Sequence, residues 1–89
     1  MSDSPITVRY FAAARAARGT ATEQLDFTGP LGDLLTQLGE KHTDITAGGL
    51  TLAQIFPRCT FLLNGARVED SATVQPGDQL DILPPFAGG

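Results

Sequence analysis

One stretch of the chain decides its fold, and it reads PLGDLLTQLGEKH over residues 30–42. Its leucines recur at the spacing i, i+3, i+4 and i+7, which forms an apolar stripe along one side of an α-helix: Leu31, Leu34, Leu35 and Leu38. Pro30 suits the first position of a helix. Asp33 near the start and Lys41 and His42 near the end complement the helix dipole. The spacing therefore predicts a helix over Pro30–His42 that packs against a sheet.

Two strands are predicted before this helix, because apolar and polar residues alternate there. The first runs over Ile6–Phe11 and the second over Thr22–Thr28, and we expect them to pair antiparallel. Their inward positions share an apolar or aromatic side chain: Ile6, Val8, Tyr10, Leu25 and Phe27. The alanine-rich stretch between the strands ends at Gly19 and lacks an apolar stripe. We therefore expect a connecting loop there, with one helical turn at most.

Three further strands are predicted after the helix: Thr60–Leu63, Ala66–Val68 and Gln79–Leu83. Asn64-Gly65 joins the first two as a type I′ turn, in which both central residues need a positive φ. Pro76-Gly77-Asp78 forms a turn before the last strand. A short apolar helical turn, Leu52–Phe56, precedes these strands, and we expect Pro57 to stop it.

The resulting order is β-β-α-(short helix)-β-β-β, which predicts an α+β fold of the ubiquitin-like β-grasp type. Such a fold has a mixed sheet with one main helix packed across one face. The helix crossover allows the last strand to lie parallel beside the first. At 89 residues, the chain has room for one domain, which we expect over 1–89 with a C-terminal tail over 84–89.

Composition argues against several classes of function. The formal net charge is −4 and the six basic residues are scattered, which disfavours nucleic-acid binding. The longest apolar run is far below the roughly 18 residues of a membrane span, and no basic-then-apolar leader opens the sequence. The single cysteine, Cys59, excludes an internal disulfide and a multi-cysteine metal site. We expect a cytoplasmic protein that binds neither nucleic acid nor membrane.

The side chains offer little catalytic machinery. The one histidine, His42, follows a helix and suits a capping or solvated role. Cys59 precedes an apolar strand, where a free cysteine usually acts as a small hydrophobe. Glu69 and Asp70 adjoin a predicted turn, so a solvated turn is favoured over an acid–base pair. Because no phosphate-binding loop, set of metal ligands or nucleophile elbow is present, we expect any chemistry to lie at the C-terminus.

That terminus ends in a pair of glycines, Gly88 and Gly89, which follow the last predicted strand after a Pro-Pro-Phe-Ala spacer. Without Cβ atoms, such residues can thread a narrow channel and adopt backbone angles closed to others. The Gly89 carboxylate can then be presented deep inside another protein. A free carboxylate is a poor acyl donor, but adenylation supplies a leaving group that a sulfur, amine or thiol nucleophile can displace.

The chain also resembles the MoaD/ThiS family of sulfur carriers. The matching segments follow the family's order along nearly the whole chain: Val8-Arg9-Tyr10-Phe11-Ala12 with Arg15 and Gly19, Leu62-Leu63-Asn64-Gly65, Pro76-Gly77-Asp78, and Leu83-Pro84-Pro85-Phe86-Ala87-Gly88-Gly89. The Pro-Pro-x-Ala-Gly-Gly ending is the most specific of them and is most similar to the molybdopterin-synthase branch. Ala16 departs from the pattern, since many relatives carry an acidic residue there.

This resemblance implies a mechanism in which Gly89 is the reacting residue. An adenylating enzyme of the ubiquitin-activating type would activate Gly89 with ATP and Mg²⁺, and a sulfurtransferase would convert it to a thiocarboxylate. The tail residues Phe86, Ala87 and Gly88 would insert into the large catalytic subunit of molybdopterin synthase, in a heterotetramer. Sulfur would pass there to cyclic pyranopterin monophosphate. The small chain binds no cofactor in this mechanism and supplies no other catalytic residue.

The alternation of the strands also predicts a docking face. If Ile6, Val8, Tyr10, Leu80 and Ile82 face the helix, the opposite side of the sheet carries Phe11, Leu62 and Leu83. Apolar residues on an uncovered sheet face are typical of a partner interface. Arg9 and Asp81 share this face, where they can pair with each other across neighbouring strands or meet charges of the partner.

Three alternatives to the molybdopterin hypothesis stay open on the sequence alone. Sulfur carriage for thiamine or cysteine biosynthesis would use the same tail with another acceptor. A ubiquitin-like modifier would join Gly89 to a lysine through an isopeptide bond. A plain β-grasp interaction module would not use the tail at all. The Pro-Pro-Phe-Ala spacer favours sulfur carriage over the modifier, and the diglycine end favours it over the plain module.

Overall fold

The computed structural model describes residues 4–43 and 49–85. The elements within these residues are, in order, β1 (Ile6–Tyr10), α1 (Ala12–Arg18), β2 (Thr22–Leu25), β3 (Gly29–Pro30), α2 (Leu31–Lys41), α3 (Leu52–Ile55), a 3-10 turn (Phe56–Arg58), β4 (Thr60–Leu63), β5 (Ala66–Val68), β6 (Thr73–Val74) and β7 (Gln79–Leu83). None of the helices in this part of the chain is long and apolar enough to cross a membrane.

The main sheet has the strand order β2-β1-β7-β4-β5. Its centre is the parallel pair β1–β7, in which Tyr10 lies opposite Ile82, and the other neighbours are antiparallel. The predicted parallel pairing of the first and last strands is therefore confirmed. A second, two-residue pair joins β3 to β6, with Gly29 opposite Val74. These strands were not predicted, because two residues are too few for alternation to reveal a strand.

The core lies between the sheet and the helices. All four leucines of the predicted stripe are buried on α2, and the five strand residues assigned to the helix-facing side are at most 1 % exposed: Ile6, Val8, Tyr10, Leu80 and Ile82. The helix begins one residue after Pro30, whose ψ of 141° is still extended, and His42 caps its other end. Both the fold class and the strand register are confirmed.

The interpretation of the alanine-rich stretch as a loop is wrong. Residues 12–18 form helix α1, and Gly19 ends it in the left-handed conformation with φ of 85° while donating its N–H to the Arg15 carbonyl. Ala14 and Ala17 lie three apart and are both buried in the common core. Alanine is the best helix former but has a small side chain. The stripe therefore exists, but it consists of methyl groups that a search for large apolar residues overlooks.

Some predicted boundaries also shift. Pro57 does not stop the short helix, because the chain continues from α3 into a 3-10 turn with Pro57 in its first turn, where a missing N–H is tolerated. Strand β1 ends at Tyr10 rather than Phe11, and β2 ends at Leu25 rather than Thr28. The predicted type I′ turn is supported by positive φ at both central residues, 53° at Asn64 and 86° at Gly65.

Candidate functional site

The sheet face opposite the helices carries the residues predicted to meet a partner. Arg9 on β1 lies opposite Asp81 on β7, and Asp81 in turn lies opposite Leu62 on β4. Leu83 is two residues further along β7, on the same side of the sheet. The structure therefore brings the predicted residues together across three adjacent strands, and we call this surface, formed by Arg9, Phe11, Leu62, Asp81 and Leu83, the docking face.

Phe11 gives the docking face its apolar character. Its side chain is 37 % exposed, and among the described residues no other large apolar side chain is classed as exposed. Leu62 and Leu83 are half-buried, and neither belongs to the buried core cluster. An aromatic ring beside two aliphatic side chains on an otherwise uncovered sheet is the kind of patch that partners bind.

An ion pair lies at the centre of the docking face. Arg9 donates from Nε to Asp81 Oδ1 at 2.7 Å and from Nη2 to Oδ2 at 2.8 Å. The Asp81 side chain is only 9 % exposed, whereas the Arg9 side chain is 42 % exposed. Hydrogen bonding to Asp81 raises the pKa of Arg9, so the guanidinium keeps its charge. The predicted pairing of these residues across neighbouring strands is present in the structure.

Arg9 also connects this pair to Phe11. Its guanidinium carbon lies 5.4 Å from the centroid of the Phe11 ring, within cation–π distance. The backbone of Phe11 is fixed as well, since its N–H donates to the Ile82 carbonyl and its carbonyl accepts from Ala14. Ala12 then turns the chain into α1 with a φ of 50°. Phe11 is therefore held at the corner where β1 ends beside the end of β7.

The C-terminal tail leaves the sheet at this same corner. β7 is the central strand and ends at Leu83, after which Pro84 is buried and Pro85 is exposed. The predicted reacting residue Gly89 and the predicted insertion residues Phe86, Ala87 and Gly88 lie outside the described residues. Six residues beyond Leu83 reach at most about 20 Å. A partner bound to the docking face is therefore within reach of the chain end.

The other candidates lie away from the docking face. Burial raises the pKa of the Cys59 thiol to about 11, and Sγ donates to the Ile55 carbonyl at 3.4 Å, which supports its interpretation as a small hydrophobe. His42 is half-buried at the end of α2. Glu69 and Asp70 are exposed at a turn. Within residues 4–43 and 49–85, no group of three or more acidic, histidine or cysteine side chains is placed to hold a metal ion.

Sequence reasoning missed a polar cluster that joins α1 to the sheet. The Tyr10 hydroxyl donates to Glu23 Oε2, and Arg18 donates to both Glu23 oxygens at 2.9 and 2.7 Å. The hydrogen bonds from Arg18 lower the pKa of Glu23, while burial and the bond to Glu23 raise the pKa of Tyr10. One feature of the sequence could have revealed this cluster. Glu23 falls on the inward side of β2, and a carboxylate at such a position requires hydrogen-bonding or charged partners.

An open groove of about 660 Å³ lies between α2, the 3-10 turn and strands β4 and β5. Its lining includes the apolar residues Leu35, Phe56 and Phe61 and charged residues of both signs: Glu40, Arg67, Glu69 and Asp70. No local pattern in the sequence predicts this groove, since its walls come from segments far apart along the chain.

Comparison with known proteins gives consistent results. Residues 8–89 match the model of the ThiS family. The molybdopterin synthase sulfur carrier subunit of Chlamydomonas reinhardtii is 32% identical over 88 residues, covering 94% of this chain and 98% of that protein.

Solved structures confirm the β-grasp fold. SAMP1 from Haloferax volcanii superposes with a TM-score of 0.73 at 22% identity, covering 97% of this chain and 100% of that one. Urm1 from Trypanosoma brucei has a TM-score of 0.68 at 21% identity, with 100% of each chain covered. A chain from the complex of subunits 1 and 2 of the Helicobacter pylori molybdopterin-converting factor has a TM-score of 0.61 at 20% identity, covering 96% of this chain and 99% of that one.

The Glu23 cluster generates a prediction about the pH dependence of stability. Because the pKa of Glu23 is lowered on folding, its contribution is complete above the unfolded value of roughly 4.3 and is lost as the pH falls through the folded value. Glu23→Gln should therefore lower the free energy of unfolding by about 1–3 kcal/mol at neutral pH. Urea denaturation should show this difference shrinking below about pH 4. Glu69→Gln, at an exposed position, is the matched control, and a difference independent of pH would contradict the role of the Glu23 carboxylate.

Proposed function

This chain belongs to the ThiS family, and we propose that it is a sulfur carrier that acts in the cytoplasm as the small subunit of molybdopterin synthase. The observation that carries the proposal is its 32% identity to a sulfur carrier subunit over 94% of the chain. The geometry supports it, because the central strand of the β-grasp sheet ends at Leu83, beside an exposed apolar face.

The proposed chemistry takes place on the Gly89 carboxylate. A carboxylate oxygen attacks the α-phosphorus of ATP, which a Mg²⁺-dependent activating partner binds, and pyrophosphate leaves. The terminal sulfur of a cysteine persulfide on a sulfurtransferase then attacks the acyl carbon, and AMP leaves. A second thiol attacks the donor cysteine sulfur of the resulting acyl disulfide, so that the two thiols end as a disulfide and the tail is released as a thiocarboxylate. Transfer of this sulfur to cyclic pyranopterin monophosphate, with water restoring the carboxylate, completes the cycle.

Two partners would use the docking face in turn under this proposal. The adenylating enzyme would bind it to receive the tail, and the large synthase subunit would bind it to receive the loaded tail. The Helicobacter pylori neighbour is described as a complex of subunits 1 and 2, which supports a large-subunit partner here. Under this proposal the large subunit would supply the catalytic side chains, and the thiol of Cys59, whose pKa is raised by burial, would take no part in the transfer.

The alternatives share the activation step and differ in the acceptor. A carrier for thiamine or cysteine biosynthesis would pass its sulfur elsewhere, and a modifier would transfer Gly89 to a lysine amine. One structural neighbour is described as small archaeal modifier protein 1, but its identity of 21% supports the fold alone. The curated relative at 32% identity favours the molybdopterin acceptor.

A charged substitution on the docking face should separate binding from stability. Phe11→Glu should weaken binding to the adenylating enzyme or to the large subunit at least ~10-fold, because it replaces the exposed aromatic ring of the docking face with a solvated carboxylate that the partner would have to desolvate. The melting temperature should stay nearly unchanged, since Phe11 is exposed in the free protein. Gln37→Glu, on the exposed side of α2, is the matched control. Calorimetric titration and thermal melts measure the two effects. Intact binding with a collapsed fold would place Phe11 in the core.

The function itself is tested by the mass of the chain after activation. With the adenylating enzyme, ATP and a sulfur donor, the intact protein should gain about 16 Da as one terminal oxygen becomes sulfur. Deleting Gly89 should abolish this gain without unfolding the domain, because the residue lies beyond the last strand. Adding one residue after Gly89 should also abolish the mass gain, because it moves the carboxylate out of register. Gly88→Val should reduce the gain by hindering entry of the tail into the partner, although the carboxylate is still present. Full molybdopterin synthesis by the Gly89 deletion would refute the carrier and favour the interaction module.

A further inference from the structure

The alternation of β7 continues beyond the last hydrogen-bonded residue of the strand. Leu80 and Ile82 point into the core, and Leu83 lies on the docking face. Pro84 follows this alternation and is buried, whereas Pro85 is exposed. The chain therefore stays extended for at least one residue after the strand pairing has stopped.

Hydrogen bonds hold β7 on both sides up to this point. On one side, the Ile82 carbonyl accepts the N–H of Phe11 at 3.2 Å. On the other side, Leu83 lies opposite Thr60 at the start of β4. Proline has no N–H, so neither Pro84 nor Pro85 can continue this pairing. Burial of the Pro84 ring takes the place of the missing hydrogen bonds in holding the chain against the domain.

The two prolines are also stiff. The ring restricts φ of each residue to about −65°. A proline disfavours the helical region for the residue before it, so Pro85 keeps Pro84 extended. The four residues beyond Pro85 reach at most about 14 Å. With a tail this short, a change in the direction of the chain at Pro84 moves its end by a comparable distance.

We propose that Pro84 is a positioning residue: its buried ring, kept extended by Pro85, sets the direction in which the tail leaves the sheet beside the docking face. The inference rests on the proposed function, in which Gly89 must reach the reaction centre of a partner bound to that face. The docking face supplies affinity, and Pro84 supplies the alignment of the reacting carboxylate. Alignment affects the rate within the complex and leaves binding of the domain unchanged.

The test compares substitutions at Pro84 in the adenylation reaction with the cognate activating enzyme. Pro84→Gly removes the ring and frees the backbone, whereas Pro84→Val keeps an apolar side chain that prefers extended backbone. Pro76→Gly, at the exposed turn before β7, is the control for losing a proline. We measure Kd by titration, kcat from pyrophosphate release at saturating carrier, and the melting temperature.

We expect Pro84→Gly to lower kcat by ~10-fold or more while Kd changes less than about twofold. Pro84→Val should retain most of the kcat, and Pro76→Gly should change neither quantity. If Pro84→Gly fails to fold, Pro85→Gly replaces it in the test. Pro85 is exposed, and its substitution removes the restriction that a proline imposes on the backbone of residue 84. It should lower kcat several-fold without changing the melting temperature.

Three results would overturn the inference. An unchanged kcat in Pro84→Gly, or in Pro85→Gly when that variant replaces it, would show that the exit direction does not matter. If Kd rises and the melting temperature falls together, while kcat in the bound complex stays intact, Pro84 has a structural role only. A parent chain that is not adenylated at all would refute the proposed function and the inference with it, whereas the first two results leave the proposed function standing.

Discussion

Parallel pairing of β1 with β7 joins the first strand of the chain to the last, and the remaining architecture depends on it. A parallel pair requires a crossover, and the segment that contains α2 supplies it on one side of the sheet. The helices then share one core on that side, and the opposite side stays open as the docking face. The same pairing places the end of β7 next to Phe11, so the strand ends beside the surface that we propose binds partners.

Two carboxylates that are wholly or partly buried reinforce this arrangement, and each is paired with an arginine. Asp81 on β7 binds Arg9 on β1, and Glu23 on β2 binds Arg18 on α1. Burying a carboxylate is costly unless a cation and hydrogen bonds compensate it. A slip of one residue in the β1–β7 register would separate Arg9 from Asp81 and turn every side chain to the opposite face. The Arg9–Asp81 pair therefore favours this register of β1 and β7 over its neighbours.

Sequence patterns revealed the parts of the fold with a regular apolar spacing and missed those without one. The leucine stripe of α2 and the alternation of β1 were readable because large apolar residues recur at a fixed period. Helix α1 was misread because its buried stripe is Ala14 and Ala17. The two-residue strands β3 and β6 have no period at all.

The candidate site also has one part that the sequence predicts and another that it does not. The docking face followed from alternation, since positions opposite the core must lie on the other side of the sheet. The contact of Arg9 with the Phe11 ring and the burial of Pro84 depend on tertiary packing, which no local pattern encodes. The roles of Phe86, Ala87, Gly88 and Gly89 still rest on the family resemblance and on the chemistry of a diglycine end.

The chemical state of the C-terminus in the cell tests most directly our proposal that Gly89 carries sulfur. The chain should be isolated from its own host without reducing agents, and its C-terminal peptide should be examined by mass spectrometry. Sulfur carriage predicts a fraction that is heavier by about 16 Da at the terminal carboxyl group, and that fraction should disappear when the adenylating enzyme is deleted. A terminus found only as free carboxylate, or joined to lysine side chains of other proteins, would contradict it.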